Sequence, residues 1–321
     1  MSRSTGSYLL DALRGGLMGT AEVVPGVSGG TVALVTGMYD RLILSAGHTV
    51  SSLKLLVTDV PKGRGTQRAA QEFRHVDLRF LLAVMAGMIV AALTAAKLVV
   101  PLVENHPQRT FAFFFGLVLA SLWVPYSESG RRWSPREWII AALVAVAAFV
   151  LSGLPPQEID DPNPLLVVGI AAVAICALVL PGVSGSFVLL ATGIYTVTFN
   201  ALNDRDLGYI ALFGFGAILG LSCFVKLLQW VLEHHHRITM VIMTGLLAGS
   251  LRALWPWQPW GSDSRELQAP SNDIPITVAL MVAGWLVVVA IIVIERRTSA
   301  AHLDNPTGTA IEQPNADSTH S

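Results

Sequence analysis

Charged residues and cysteines are scarce in this sequence. Lysine, arginine, aspartate and glutamate make up 13% of its 321 residues, roughly half the share found in a typical soluble domain. The net charge of −1 supplies no field that would attract nucleic acid, so no nucleic-acid partner is expected. Cys176 and Cys223 have neither CxxC spacing nor a histidine partner, which argues against a disulfide framework or a metal site. No cofactor is expected.

Long apolar runs, in contrast, dominate the chain. Apolar residues make up 53% of the sequence and the mean hydropathy is +0.58. A helix that crosses a bilayer needs about 20 mostly apolar residues, and six segments meet this requirement. They are 78–103, 110–126, 137–153, 208–232, 239–255 and 275–294. The sequence therefore predicts an all-α integral membrane protein.

One motif occurs twice, within two further apolar stretches. Residues 25–39 read PGVSGGTVALVTGMY, residues 181–195 read PGVSGSFVLLATGIY, and ten of the fifteen positions are identical. Interrupted apolar segments repeated in both halves are typical of transporter binding sites built from broken helices. We interpret 8–44 and 164–200 as re-entrant helical hairpins that begin and end on the same side of the membrane. A plain tight turn between packed helices is the alternative interpretation.

A weaker similarity extends the duplication to the helices after each hairpin. Identical residues recur 129 positions apart, among them Gly87 with Gly216 and His106 with His235. The order hairpin, helix, helix, helix thus occurs twice. Because three crossings per copy is an odd number, the second copy must insert upside down, which predicts an inverted repeat. Repeat 1 is 1–153, with hairpin 8–44, a cytoplasmic connector 45–77 and three helices; repeat 2 is 154–297, with hairpin 164–200 and three helices; 298–321 is a disordered cytoplasmic tail.

The charges of the short loops predict the orientation. The connector 45–77 and the loop 127–136 are rich in lysine and arginine, which places both in the cytoplasm. Loop 154–163 has acidic residues and no basic one, and 256–274 has a single arginine, so both are expected outside. Both termini are then cytoplasmic. Hairpins that crossed the membrane as two full helices would give the same charge pattern, so charge alone leaves re-entrance open.

The two turns supply groups suited to an anion. Ser28 is placed to cap the arm that follows it, and the first backbone N–H groups of that arm lack intrahelical partners. The helix dipole favours an anion there, and glycines let a ligand approach the backbone. Two such ends meeting near the midplane suit a phosphate. The candidate substrate-binding residues are Pro25, Gly26, Ser28, Gly29, Gly30 and Thr31 in the first turn, and Pro181, Gly182, Ser184, Gly185 and Ser186 in the second.

Two ionisable residues before the first turn are further candidates. Glu22 would lie deep in the membrane, where charges are costly and usually functional. Burial disfavours its ionised form, so Glu22 is the candidate for coupling transport to protons. Arg14 is a candidate for binding a lipid phosphate, and an ion pair with Asp11, three residues earlier, is the structural alternative.

At these residues the chain resembles a known family. The block GGLMGTAEVVPGVSGGTVALVTGMYDRLI, followed by the second block PGVSGS, is similar to the DUF368 membrane proteins over essentially the whole chain up to the tail. The resemblance implies an undecaprenyl-phosphate translocase in the bacterial cytoplasmic membrane. Such a flippase returns the polyprenyl-phosphate carrier to the inner leaflet for the synthesis of peptidoglycan and other envelope polymers. The sequence departs from two-fold equivalence at Ser186, where the first copy has Gly30.

Two other functions stay open on the sequence alone. A secondary transporter or channel for a small inorganic or organic anion would use the same helix ends. A membrane lipid phosphatase or transferase would need a nucleophile or general base with partners, and we find no such constellation, so no enzymatic activity is expected. A homo-oligomer is compatible with the sequence.

Overall fold

A computed structural model of the chain describes residues 5–22, 28–63, 65–130, 132–155, 157–260 and 266–303. Within these ranges all regular structure is helical, as the sequence predicts. The helices are α1 Thr5–Glu22, α2 Gly29–Val35, α3 Tyr39–Asp59, α4 Gln67–Phe73, α5 Leu78–Asn105, α6 Pro107–Ser121, α7 Trp123–Glu128, α8 Pro135–Ser152, α9 Pro164–Val179, α10 Gly185–Thr192, α11 Tyr195–Asn203, α12 Leu207–Ser250 and α13 Ile274–Leu303, with a 3₁₀ turn at Leu251–Leu254.

Five helical stretches of the described chain are long and apolar enough to cross a membrane. The longest, Leu207–Leu254, has 48 residues and contains the predicted span 208–232 and all but the last residue of the predicted span 239–255. At 1.5 Å per residue it would be about 72 Å long, more than twice the ~30 Å hydrocarbon core. His235 has non-helical backbone angles inside α12 and divides it into two arms of membrane length. The other four stretches are Leu78–Asn105, Pro107–Glu128, Pro135–Ser152 and Ile274–Ile294.

The structure corrects several predicted boundaries. The span 110–126 consists of two helices, α6 and α7, separated at Leu122. The connector 45–77 is largely helical, because α3 continues to Asp59 and α4 packs on it, with the Ser52 hydroxyl donating to the carbonyl of Ala69. The last helix continues to Leu303, six residues into the predicted tail. The rest of that tail, 304–321, lies outside the described residues.

Glycines set the packing of the helix that leads into each hairpin. In the first half, Gly15 and Gly19 of α1 lie against the backbone of Val84 and Met88 of α5. A Cβ on either glycine would come within 2.1 Å of a carbonyl oxygen, so only glycine permits this approach. The contacts advance together along both helices, which shows that α1 and α5 run parallel.

The second half repeats this arrangement with α9 and α12. Gly216 and Gly220 of α12 lie against Val168 and Ala172 of α9, and again a Cβ would come within 2.4 Å of a carbonyl oxygen. Here the contacting glycines are all on the longer helix, whereas in the first pair α5 contributes Gly87, whose Cβ would come within 1.9 Å of the carbonyl oxygen of Ala12, and α1 contributes the other two. The two helices of this pair also run parallel.

The remaining long helices pair across the two halves of the chain. Gly116 of α6 meets Met281 of α13, so a helix of the first half packs on one of the second. Conversely, Gly245 and Gly249 of α12 meet Ala141 and Ala145 of α8. Each half therefore contributes one helix to each of these pairs, and neither half can bury its apolar helices alone.

The backbone repeats the duplication seen in the sequence. His106, between α5 and α6, has φ −138° and ψ 54°, and His235, inside α12, has φ −135° and ψ 37°. The hydroxyl of Thr110 donates to the carbonyl of His106 at 2.9 Å, and that of Thr239 donates to the carbonyl of His235 at 2.9 Å. A threonine thus makes the same hydrogen bond at equivalent breaks in the helical backbone, 129 residues apart.

The helices that follow the two PGVSG turns also end alike. Gly37 and Gly193 both adopt positive φ, 65° and 87°, a conformation that favours glycine. The hydroxyls of Thr36 and Thr192, one residue earlier, both donate to the carbonyl four residues back. Both copies of the motif therefore fold as a short helix, a left-handed glycine and a second helix that starts at a tyrosine.

Candidate functional site

Ser28 caps α2, as the sequence predicts, but its hydroxyl is also bound to the second half. It accepts from the N–H of Gly30 at 3.1 Å and donates toward the carbonyls of Leu180 at 3.1 Å and Leu178 at 3.3 Å. The residue is fully buried. Ser28 therefore holds the start of α2 on the end of α9. Pro25 and Gly26, the other candidates in this turn, lie outside the described residues.

Glu22 lies where the sequence places a ligand. Its carboxylate accepts from the N–H of Gly29, the first residue of α2, at 2.7 Å. The next N–H, of Gly30, binds the Ser28 hydroxyl, and that of Thr31 binds the Ser28 carbonyl. The first three donors of α2 are thus engaged, and the protein's own carboxylate occupies the position expected for an anion.

The two turns meet each other directly. The N–H of Gly182 donates to the hydroxyl of Thr31 at 3.0 Å. A Cβ on Gly30 would lie 2.7 Å from the carbonyl oxygen of Val179, so glycine is required for this contact. The Tyr39 hydroxyl donates to the same Val179 carbonyl at 3.2 Å. Tyr39 is not among the candidates predicted from the sequence, although the motif ends on a tyrosine in both copies.

The second turn differs from the first in its chemistry. Ser184 stands at the N-cap of α10 but makes no capping hydrogen bond; its hydroxyl pairs with that of Ser186 at 2.8 Å. Ser186 is exposed and Ser184 is buried. Leu178 occupies the repeat position of Glu22, so no carboxylate faces this helix start from that position. Ser184 therefore does not cap α10 with its side chain, whereas Glu22 and Ser28 both cap α2.

Gly182 and Gly185 fix the backbone of the second turn. Gly182 has φ 83°, and a Cβ there would lie 3.0 Å from Leu247 and from the Ser250 hydroxyl of α12. A Cβ on Gly185 would lie 2.9 Å from the carbonyl oxygen of Ala174. Pro181 is buried beside them. These contacts press the turn between α9 and the second arm of α12.

Arg14 lies in an ion cluster away from the turns. Its guanidinium is 3.9 Å from Asp11, a carboxylate only 2% exposed. Arg41, at the start of α3, also contacts Asp11 at 3.4 Å, binds Asp77 at the start of α5 and covers the ring of Phe80. The cluster therefore joins the first and last parts of the hairpin segment 8–44 to α5. The pair between Arg14 and Asp11 is the ion pair that the sequence offers as the structural alternative for Arg14.

A cavity of about 690 Å³ extends from the first hairpin along α6 and α13. Its walls are almost entirely apolar, and several wall residues, such as Leu17, Leu102 and Val287, are about half exposed on the outside of the fold. The groove is therefore open to its surroundings. Lining residues include Ala21, Thr31, Val32 and Thr36 from the hairpin, Phe113, Phe114, Leu117 and Val118 from α6, Leu280 and Val288 from α13, and His106 and Arg109 from the α5–α6 turn.

Metal binding has no support in the described ranges, where no group of three or more His, Cys, Asp or Glu side chains could hold an ion. The contacts of this region instead consist of hydroxyls, backbone amides and one carboxylate around an apolar groove. These polar groups can bind and release an anion, and the apolar groove beside them can hold a hydrocarbon chain.

Comparisons with known proteins identify the family. Residues 18–269 match the family described as VCA0040-like, undecaprenyl phosphate translocase-like. A polyprenyl-phosphate transporter of Vibrio cholerae serotype O1 is 36% identical over 274 residues, covering 84% of this chain and 86% of that protein. A polyprenyl-phosphate transporter of Staphylococcus aureus is 29% identical over 268 residues, covering 78% and 87%. No solved structure shows significant similarity. The chain is a multi-pass membrane protein, and it belongs to the undecaprenyl phosphate translocase-like family, as its paired PGVSG motifs indicate.

Proposed function

We propose that the protein is a flippase that returns undecaprenyl phosphate from the outer to the inner leaflet of the bacterial cytoplasmic membrane. The observation that carries this proposal is the open apolar groove that reaches α2 beside the meeting point of the two turns. A lipid phosphate has both parts that such a site requires, an anion for the turns and hydrocarbon for the groove. The names of the related transporters agree with this substrate.

The proposed architecture is an inverted repeat with re-entrant hairpins. Asp11 and Arg41 are bound to each other although one lies before and the other after the first turn, as expected when a hairpin returns to the side where it began. In the second hairpin, the N–H of Ile159, ahead of α9, donates to the carbonyl of Gly193, after α10. Contact between the hairpins through Thr31 and Gly182 supports insertion from opposite sides.

The directions of the packed helices support the same topology. If both termini are cytoplasmic, α1 and α5 point outward, whereas α9 and the first arm of α12 point inward. Each of these pairs must then be parallel, as the glycine contacts require. A topology in which one hairpin spanned the membrane once would reverse the helix that follows it and make one pair antiparallel.

In this proposal the substrate phosphate binds between the two turns, and Glu22 responds to it. The N–H of Gly29 is the donor for which the phosphate and the Glu22 carboxylate compete. Repulsion between the two anions favours proton uptake by Glu22 when the phosphate binds. Release of the proton would restore the bond to Gly29 and help to expel the phosphate, so transport would be coupled to protons.

A transporter for a small free anion is the alternative function. It would use the same amides but would need a polar, hydrated path. The cavity that leads to α2 has apolar walls from α6 and α13, which favours a lipid over an aqueous ion. We propose no catalytic step, since the related proteins are named as transporters.

The experiment is a leaflet-transfer assay in liposomes that contain the purified full chain. Fluorescent polyprenyl phosphate is placed in both leaflets, and an impermeant quencher reports the fraction that stays accessible outside. The proposal predicts protein-dependent exchange of polyprenyl phosphate and none of the uncharged polyprenol. Transport of free phosphate into the liposomes without movement of the lipid would favour the alternative.

A further inference from the structure

We infer that Arg109 and His106 form a capture site for the phosphate of the polyprenyl lipid, at the far end of the groove from the hairpin. This inference rests on the proposed lipid substrate and adds a second phosphate position to it. No residue of the α5–α6 turn belongs to the paired motifs from which the sequence predicts binding.

Position along the helices separates this site from the turns. Arg109 is in the first turn of α6, and Ser121, at the other end of that helix, also lines the cavity. Twelve residues of helix correspond to about 18 Å, more than half of the ~30 Å hydrocarbon core. By the predicted topology the Arg109 end is external. A lipid in the outer leaflet would reach this end first.

The charge of the cavity wall favours an anion at that end. Among the described residues that line the groove, Arg109 is the only one with a fixed charge, and His106 is the only other one with an ionisable side chain. A guanidinium can bind two phosphate oxygens at once. Below it, Leu102, Phe113 and Phe114 supply apolar walls for the isoprenoid chain. The groove is thus matched to one occupant, a phosphate joined to a long hydrocarbon.

Asp273 holds Arg109 in the structure as it stands. Its carboxylate lies 3.1 Å from the guanidinium, and both side chains are about half exposed. Ion pairs this exposed contribute little to stability, so an incoming phosphate can replace the aspartate at small cost. Asp273 then acts as a competitor of the phosphate for the same guanidinium.

This competition predicts that two substitutions change the affinity for undecaprenyl phosphate in opposite directions. Arg109→Gln removes the cation and should raise the Kd for undecaprenyl phosphate about tenfold, the effect of losing a hydrogen bond to a charged group. Asp273→Asn removes the competitor and should lower the Kd two- to fivefold. Asparagine suits position 273 because the residue has φ 51°, a conformation that asparagine tolerates well. If the ion pair were purely structural, both substitutions would change the Kd in the same direction.

The measurement is equilibrium binding of radiolabelled undecaprenyl phosphate to the purified full chain in detergent, with undecaprenol as the uncharged probe. Arg205→Gln is the matched control, since Arg205 is exposed on the same predicted face and does not line the groove. We expect Arg205→Gln to bind both probes like the wild type, and Arg109→Gln to lose affinity for the phosphate probe alone.

The outcomes separate this inference from the proposed function. If the wild type binds and transports the lipid phosphate but Arg109→Gln has an unchanged Kd, the capture site is wrong and the flippase stands. The same holds if both Arg109→Gln and Asp273→Asn weaken binding. If the wild type binds no undecaprenyl phosphate, the proposed function itself is overturned, and the capture site with it.

Discussion

Replacing Glu22 with glutamine tests the competition at the first turn. The substitution keeps an oxygen that can accept from the Gly29 N–H, now at 2.7 Å from the carboxylate, but removes the charge. A hydrogen bond to a charged group contributes about 1.5–3 kcal/mol and a neutral one about 0.5–1.5 kcal/mol. The internal contact should therefore weaken by about 1 kcal/mol, and a phosphate that competes for this N–H should bind roughly fivefold more tightly.

The same variant should lose the pH dependence of transport. Glutamine cannot take up the proton that, in the proposed mechanism, accompanies phosphate binding. Binding of undecaprenyl phosphate and leaflet transfer would be measured between pH 5.5 and 8.5 for both proteins. Weaker binding by Glu22→Gln would show that the carboxylate assists the phosphate instead of competing with it. An unchanged pH profile would make Glu22 a structural cap of α2.

Three further predictions concern the turns, the packing and the topology. Gly29→Val should fold, because the three atoms nearest to its Cβ all belong to the flexible Glu22 side chain, and it should block transport by filling the space that the phosphate needs. Gly169→Val, with no atom within 4 Å of its Cβ, should transport normally, and normal transport by Gly29→Val would remove the turn from the binding site. Gly116→Ala should lower the free energy of unfolding by about 1–3 kcal/mol, since its Cβ would overlap the carbonyl of Met281. Thermal unfolding in detergent measures this loss, and Gly214→Ala, whose Cβ would have no atom within 4 Å, should show none. Single cysteines at Ser318 and Glu158 should react with an impermeant reagent in intact cells only at Glu158, and labelling at Ser318 would refute the cytoplasmic tail.

The sequence predicted the helical spans because apolar length is a local property. Each predicted span has helical structure at the same place, but the spans 208–232 and 239–255 share the continuous helix α12, and the span 110–126 is divided at Leu122. The kink at His235 leaves α12 continuous, whereas Pro107 begins a new helix after His106. The two copies differ here because of one residue: Pro107 has no N–H with which to continue the hydrogen-bond ladder of the preceding helix.

The contacts of the candidate site could be predicted only in part. The N-cap role of Ser28 is a local property and was confirmed. Its bonds to Leu178 and Leu180 depend on the docking of segments 150 residues apart, which periodicity does not encode. The prediction that the first N–H groups of α2 are free was also wrong for Gly29, because the sequence does not show that α1 ends with Glu22 facing it.

The groove is a property of helix packing, and no motif marks it. Arg109 lies in an ordinary polar helix start, HPQRT, that the sequence analysis passed over. Its importance depends on α13, which begins 165 residues later and encloses the groove from the other side. The signal available in the sequence was that Arg109 is a basic residue in a predicted external loop, whereas the other external loops are mostly acidic.

The difference between the two turns bears on how transport could have a direction. An inverted repeat with identical turns would present similar sites to the two faces, and neither face would be favoured for release. Here the repeat position of Glu22 is Leu178, and that of Gly30 is Ser186. One helix start is therefore closed by an ionisable carboxylate, whereas the other has the exposed Ser186 and an N-cap serine, Ser184, that makes no capping hydrogen bond with its side chain. In the proposed mechanism, protonation acts on the first turn alone, so a proton gradient can bias a nearly symmetric exchange.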